Sequence, residues 1–374
     1  MRYAAQFSDT ISLGQGTPLF PTPYFIYEAL LERSKVDGKI GMYSDAIPEI
    51  EKNLIELIKK QIDDDYGFYP NSKELILTLG GIGALFSSLM ALIEKGDEII
   101  FFDPSYPLHL SQIHLAEATP IFVSLKENDG WSFNIDSLKK AITKKTRAII
   151  LTNPNNPTGT VLSEADVRAI AETVISNNLI LILDEAYFVL TYGKEIFSPL
   201  FIPELRKHTI LCRSFSKEYA MTGWRIGYAY APSELAERIF NIHTYFSICP
   251  PTPSMVAVTA AISDPRGKEA MAEMIKKISE SRNAICTRLD NLPNLFTYHT
   301  PQGAFYVFPK FLGFEMPDMD FAKLLIKETG VITVGGSSMG PSGMGHLRMS
   351  FASDISVIHK AFDRIDKFYQ RCGL

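Results

Sequence analysis

Lys217 stands in the stretch SFSKEYAMTGWRIGYA, residues 214–229, among small and aromatic neighbours rather than on a charged face. An ammonium in such surroundings is partly desolvated, which lowers its pKa and frees the amine as a nucleophile toward a carbonyl. Ser214 and Ser216 flank it and Arg225 follows eight residues on. Two hydroxyls and a guanidinium suit an oxyanion with several acceptor oxygens, such as a phosphate. Upstream, Asp184 ends the wholly apolar run LILIL. A carboxylate there is costly unless something positive meets it: a helix cap, a salt bridge or a ligand cation. Tyr187, three residues on, is able to point a phenol into the same crevice. One cofactor combines an aldehyde, a phosphate and a ring nitrogen that wants a carboxylate: pyridoxal 5'-phosphate.

These residues need elements to hold them. Strand candidates are ELILTL (74–79), EIIFFD (98–103), PIFVS (120–124), RAIILTN (147–153), LILILD (179–184), TILCRS (209–214) and RIGYAY (225–230). Several are apolar throughout, as strands covered on both faces are. Helical patterns alternate with them, such as 83–96 and 163–178, the latter opened by Ser163 as N-cap. The alternation predicts a doubly wound α/β sheet. Asn153, Asp184 and Ser214 fall at strand C-terminal ends, where open α/β sheets bind ligands. GGIG (80–83) joins a strand to a helix and forms either an anion site or simply a turn. From 267 onward a long helical stretch precedes short strand patterns, which predicts a smaller α+β domain. The expected partition is 45–265 for the large domain, with 1–44 and 266–374 forming the small one.

The chain of 374 residues is 46% apolar and 21% charged, with a net charge of -5, which argues against a broad nucleic-acid-binding face. No apolar run approaches bilayer length and the start lacks a signal-peptide pattern, so a cytoplasmic protein is expected. The four cysteines are scattered, which points to reduced thiols rather than a disulfide framework or a zinc site. Neither GxGxxG after a strand nor GxxxxGK[ST] occurs, so NAD and ATP readings lose their main support.

The lysine stretch resembles that of class I aminotransferases, fold-type I pyridoxal-phosphate enzymes. TNPNNPTGT (152–160), LDEAY (183–187), PQGAFYVFP (301–309) and HLRMSFA (346–352) occur in the order and rough spacing of that family. The resemblance runs from about Ser12 to Ala352. It implies a large, mostly parallel seven-stranded sheet domain with a smaller α+β domain. It also implies roles. Lys217 would bond the cofactor aldehyde and then move the proton between the substrate Cα and the cofactor. Asp184 would pair with the ring nitrogen. Tyr187 and Asn156 would hold the ring oxygen, and Tyr106 would stack on the ring. The phosphate would be held by the backbone of Gly81 and Ile82, by Ser214 and Arg225, and by Tyr43 from a second subunit. Arg348 would clamp the substrate carboxylate, with Asn156 beside it and Gly16 lining it through its backbone. Three positions depart from the commoner family pattern: Ile82 where a polar residue or Lys is frequent, GQGTP in place of GEP, and Met42 before Tyr43.

The activity so implied is ping-pong transfer of an amino group from an L-amino acid to a 2-oxo acid, with 2-oxoglutarate the expected acceptor, in a homodimer. A carbon–sulfur β-lyase on the same fold would share every cofactor residue and stays open. A transcription regulator with an aminotransferase-like domain would need a DNA-binding domain ahead of the fold, for which the first dozen residues leave no room.

Overall fold

The computed structural model describes residues 3–373. Its centre is a seven-stranded sheet: β1 (Leu75–Thr78), β2 (Glu98–Asp103), β3 (Thr119–Ser124), β4 (Thr146–Thr152), β5 (Ile180–Asp184), β6 (Thr209–Ser214) and β7 (Gly227–Tyr230). The order is β1-β7-β6-β5-β4-β2-β3. Strands β2 to β6 run parallel to their neighbours within that group and to β3 at the edge. β7 is antiparallel to both β1 and β6. The mostly parallel seven-stranded sheet read from the sequence is thus present.

The helices that frame the sheet are α1 (Tyr24–Asp37), α2 (Pro48–Tyr66), α3 (Gly80–Leu92), α4 (Pro107–Leu115), α5 (Glu164–Ser176), α6 (Ser233–Ser247) and α7 (Thr252–Ser263). Apolar runs formed strands because both faces are covered. On β2, Ile100 and Phe102 enter one core with α2, α5 and α7, while Ile99 and Phe101 enter the opposite core with α3, α4 and α6. α2 shows the matching helical logic: Ile50, Leu54, Ile58, Ile62 and Tyr66 are buried at four-residue spacing on one stripe. Ser163 caps α5 with a reciprocal pair, its hydroxyl accepting from the Asp166 N–H while the Asp166 carboxylate accepts from the Ser163 N–H.

A second core gathers α8 (Pro265–Asp290), α9 (Asp318–Thr329), α10 (Ile355–Cys372) and a short antiparallel sheet of Tyr306–Val307, Leu347–Ser350 and Val334–Gly335. Of the segment 1–44, expected as one piece with the small domain, the described residues from 3 onward are divided between the cores. Ile11 and Leu13 join the second core, and Ile11–Ser12 pairs in parallel with Val331–Ile332. Phe25 and Ile26 join the sheet core instead, where α1 packs on α7. α1 carries apolar residues on more than one face, with Phe25 and Ile26 buried and Tyr24 and Leu31 exposed, so its pattern does not say which core it covers.

Lateral register brings the site together. Thr152 pairs with Asp184, Asp184 with Cys212, Ser214 with Gly227, and Thr78 with Gly227. The ends of β4, β5 and β6 and the entrance to α3 are therefore adjacent. Gly227 permits this closeness: a Cβ there would lie 2.5 Å from the Arg213 carbonyl oxygen and 2.9 Å from the Gly81 nitrogen.

Candidate active site

A cavity of about 250 Å³ opens at the C-terminal ends of β4, β5 and β6. Of the residues singled out in the sequence as site candidates, Tyr43, Asn153 and Arg348 are not on its wall. Lys217 sits on the short helix Phe215–Glu218, whose N-cap is Ser214; the Ser214 Oγ accepts from the Ser216 N–H at 3.3 Å. The Lys217 ammonium donates to the Gly16 carbonyl oxygen. Burial first, and then Arg225 and Arg348, lower its pKa to about 8, with Asp184 opposing them. A desolvated cation facing two guanidiniums loses its proton readily, which leaves a nucleophilic amine near neutral pH.

Asp184 is held from two sides. One oxygen accepts the Ala186 N–H at 3.1 Å, and the other lies 3.1 Å from His109 Nε2. His109 is wholly buried, with Nδ1 3.2 Å from Ser105 Oγ. Pro107 opens α4, Tyr106 is its N-cap, and the three-residue spacing puts Tyr106 and His109 on one side of the first turn. Their rings meet edge to face at 5.5 Å. His109 went unassigned in the sequence reading; its spacing from Tyr106 at a strand-to-helix junction was the available signal.

The anion cradle is built from backbone. α3 begins at Gly80 with Leu79 as N-cap, a residue with no side chain able to cap the first turn. The opening N–H groups of Gly81 and Ile82 have no intrahelical acceptor and face the cavity wall, where anions are favoured. The Leu79 N–H is satisfied separately by His243 Nε2 at 3.1 Å. Burial lowers the His243 pKa to about 4, so that nitrogen is a neutral acceptor. Arg225 adopts a left-handed backbone at φ 53° and donates to the carbonyl oxygens of Thr222 at 3.0 Å and Leu79 at 3.4 Å, which fixes its guanidinium beside α3. On the same wall, the hydroxyls of Ser216 and Thr152 are buried without a hydrogen-bond partner in the chain. Unspent donors converging on a cationic corner are what a phosphate requires.

A second network runs from Tyr187 to Arg348. Asn156 Nδ2 donates to the Tyr187 hydroxyl at 3.3 Å, and that hydroxyl lies 3.0 Å from the Tyr306 hydroxyl. Burial pushes the Tyr187 phenol well above its usual range. Arg348 lies behind the wall, donating to Asn156 Oδ1 at 3.1 Å and to the Gly14 carbonyl oxygen at 2.9 Å, with its guanidinium 4.5 Å from the Tyr306 ring centre. Its Nε is buried without a partner. Tyr306, within PQGAFYVFP, links Tyr187, Arg348 and Gly16, a Cβ at Gly16 lying 2.8 Å from its hydroxyl oxygen. Tyr43 is 61% exposed on the turn before α2 and does not reach this cavity within one chain.

The donor set fits pyridoxal phosphate: an amine of lowered pKa, a carboxylate across from it, and an uncapped helix start with spare hydroxyls. Among the described residues no cluster of His, Cys, Asp or Glu is arranged to hold a metal. No helix there is long and apolar enough to cross a membrane.

Residues 8–365 match the family model described as aminotransferase class I and II. The aspartate aminotransferase of Pyrococcus abyssi is 34% identical over 371 residues, covering 97% of this chain and 92% of that protein. Aromatic-amino-acid aminotransferase 2 of Thermococcus litoralis is 32% identical, covering 96% of this chain and 91% of that protein. The crystal structure of an aromatic aminotransferase from Pyrococcus horikoshii OT3 superposes with a TM-score of 0.91 at 33% identity, covering 99% of this chain and 98% of that one.

Proposed function

Since the chain belongs to the aminotransferase class I and II family, and is a pyridoxal-phosphate-dependent amino acid aminotransferase, we propose that the cavity beside Lys217 is its active site and that each wall residue has a defined task there. Bound pyridoxal phosphate supplies an aldehyde for amine capture and an electron-poor ring that stabilises negative charge at the substrate Cα. The observation that carries the assignment is the Lys217 amine, brought to about 8 by burial and two guanidiniums while facing Asp184.

Lys217 would hold the cofactor's aldehyde through its neutral amine, and the same amine would take the proton from the substrate Cα and return it as general base and acid. Asp184, steadied by His109 and the Ala186 N–H, would hold the ring nitrogen in its protonated form. The Gly81 and Ile82 N–H groups, Ser214, Ser216 and Arg225 would hold the phosphate. Asn156 and Tyr187 would hold the ring oxygen, with Tyr106 beside the ring. Arg348 receives the substrate carboxylate bidentately with Gly16 beside it. The second half-reaction runs the same proton transfers in reverse on a 2-oxo acid, for which 2-oxoglutarate is the proposed acceptor.

The working unit is a homodimer in which Tyr43 of the partner subunit completes the phosphate site. Exposed rings support a covered face beside the cradle: Tyr27 contacts Trp224, next to Arg225, and Phe246 contacts Phe86 on α3. Cytoplasmic residence is proposed with it.

An absorption spectrum tests the assignment. The cofactor band at roughly 360–430 nm should move to about 330 nm on adding amino acid and return with 2-oxoglutarate. Pyruvate and ammonia accumulating without an acceptor would instead show the β-lyase outcome. Undiminished amino transfer in Lys217→Ala would remove Lys217 from its role.

A further inference from the structure

The residues that follow Asp184 and Lys217 both turn away from the cavity, and both are tied to one guanidinium. Arg213 lies on β6 and is buried against α2, which carries Asp65 and Tyr66. Its Nη2 donates to Glu218 Oε1 at 2.5 Å, and its Nη1 donates to the Tyr66 hydroxyl at 2.6 Å and to Asp65 Oδ2 at 3.2 Å. The Tyr66 hydroxyl donates in turn to Glu185 Oε2 at 2.6 Å. Gln61 Nε2 lies 3.5 Å from the other Glu218 oxygen. Glu218 and Glu185 are both buried. A continuous chain of contacts therefore runs from Glu218 through Arg213 and Tyr66 to Glu185, joining the neighbour of the reacting amine to the neighbour of the carboxylate that faces it. None of the four lines the cavity.

We infer that Arg213 and Glu218 form a clamp that positions Lys217, holding the helical turn that carries it in the one rotation that aims its amine into the cavity. The inference rests on the transaminase site proposed above. Phe215–Glu218 is a single turn, and one turn has too few internal hydrogen bonds to hold its own shape. Its anchors are the buried Phe215 ring, the Ser214 cap and the Glu218 carboxylate. Successive residues on a helix point about 100° apart, so fixing Glu218 on Arg213 fixes the direction of Lys217 beside it. The contact is charge-assisted, which makes it short and directional. It adds little net stability, because removing both ions from water offsets their attraction. The charges that act on the Lys217 pKa are Arg225, Arg348 and Asp184. Glu218 acts on the amine through its position instead.

The test follows covalent capture of pyridoxal phosphate by the cofactor-free full chain across pH 6–10. Samples are quenched at timed intervals with borohydride, which reduces the carbon–nitrogen double bond formed with the aldehyde, and the tagged lysine is mapped by mass spectrometry. In the unmodified chain the tag should fall on Lys217, with a rate that levels off near pH 8. In Glu218→Ala the freed turn lets water reach the amine. The levelling-off point should then move up by about one pH unit or more, toward the 10.5 of an exposed lysine. After reloading, kcat should fall by about tenfold or more at unchanged KM for L-aspartate or L-phenylalanine, whichever the unmodified enzyme turns over faster, as misaiming of a reacting group requires. Glu218→Gln keeps the length and an acceptor for Arg213, so both readouts should move less and in the same direction; it decides the question if Glu218→Ala does not fold. A role in stability alone would lower the urea midpoint and leave the levelling-off point of the folded protein near pH 8. That result, or an undiminished kcat, would overturn the clamp while leaving the site intact. A tag on a lysine other than Lys217 would overturn the site assignment and the clamp with it.

Discussion

His109 Nε2 lies 3.1 Å from Asp184 Oδ2, and no part of the His109 side chain reaches solvent. The imidazole is pinned between Asp184 and the Ser105 hydroxyl, so it can hold the carboxylate in only one orientation. Asp184 in turn faces the cavity where a ring nitrogen would need it. His109 is therefore a positioning residue for Asp184.

Replacing it with Phe keeps the bulk and removes both hydrogen bonds. A hydrogen bond to a charged group contributes about 1.5–3 kcal/mol, so the dissociation constant for pyridoxal phosphate should rise by roughly ten- to a hundredfold. The absorbance of the loaded protein should also shift, because the ring nitrogen is held less firmly. His109→Gln, which retains a donor, should recover part of the affinity. An unchanged affinity and spectrum in His109→Phe would remove the positioning role.

The Lys217 amine gives a pH signature. Its pKa is lowered to about 8 by burial first and then by Arg225 and Arg348. Only the neutral amine attacks an aldehyde, so capture of pyridoxal phosphate by the cofactor-free protein should quicken about tenfold per pH unit up to roughly pH 8 and then level off. An exposed lysine would keep accelerating toward pH 10.5. The linkage to stability has the matching sign. The folded chain binds fewer protons than the unfolded one between pH 8 and 10.5, so this group's contribution improves as pH rises across that window and its penalty is fully felt below it. Stopped-flow absorbance across pH 6–10 reads the first effect directly.

Much of this site could be read from sequence because its parts are local. LILILD and TILCRS are apolar runs that end on Asp184 and Ser214, and strand ends are where such sheets bind ligands. The lysine stretch carries Ser214, Ser216 and Arg225, the donors proposed for the phosphate, within a dozen residues. What escaped the reading depends on long-range packing. Arg213 reads as a stray charge on a buried strand until Asp65, nearly 150 residues away, is seen at 3.2 Å. The antiparallel direction of β7 is set by its pairing with β1 and β6, not by any residue within it. His109 and Tyr306 gain their roles only from neighbours on other elements.

Gly227 lies where the sheet and the start of α3 approach closely. A Cβ at that position would come within 2.5 Å of the Arg213 carbonyl oxygen and 2.8 Å of the Gly80 carbonyl carbon. Both are backbone atoms and neither can swing away. Gly227→Ala should therefore push β7 from β6 or displace the start of α3, at a cost of about 2 kcal/mol or more. Because the start of α3 is the proposed anion cradle, the loss should fall on cofactor affinity as well as on urea stability. Gly223→Ala, where a Cβ would meet nothing within 4 Å, serves as the control and should leave urea stability unchanged.

Glu185 follows Asp184 but turns into the opposite side of the sheet, where the Tyr66 hydroxyl donates to it at 2.6 Å and Arg213 lies close by. Burial raises its pKa to about 7, against the pull of Tyr66, Arg213 and Ser198. The folded protein thus holds a proton on Glu185 between pH 4.5 and 7 that the unfolded chain releases. Stability from this group is present at pH 4.5 and is lost as pH rises toward 7, by on the order of 3 kcal/mol in all. Glu185→Gln supplies the neutral form at every pH. Its unfolding free energy relative to the unmodified protein should therefore be close to parity near pH 5 and become more favourable by pH 7.5, which urea titrations at the two pH values would measure. A constant difference between them would mean that Glu185 stays ionised in the fold, with Arg213 compensating for its burial.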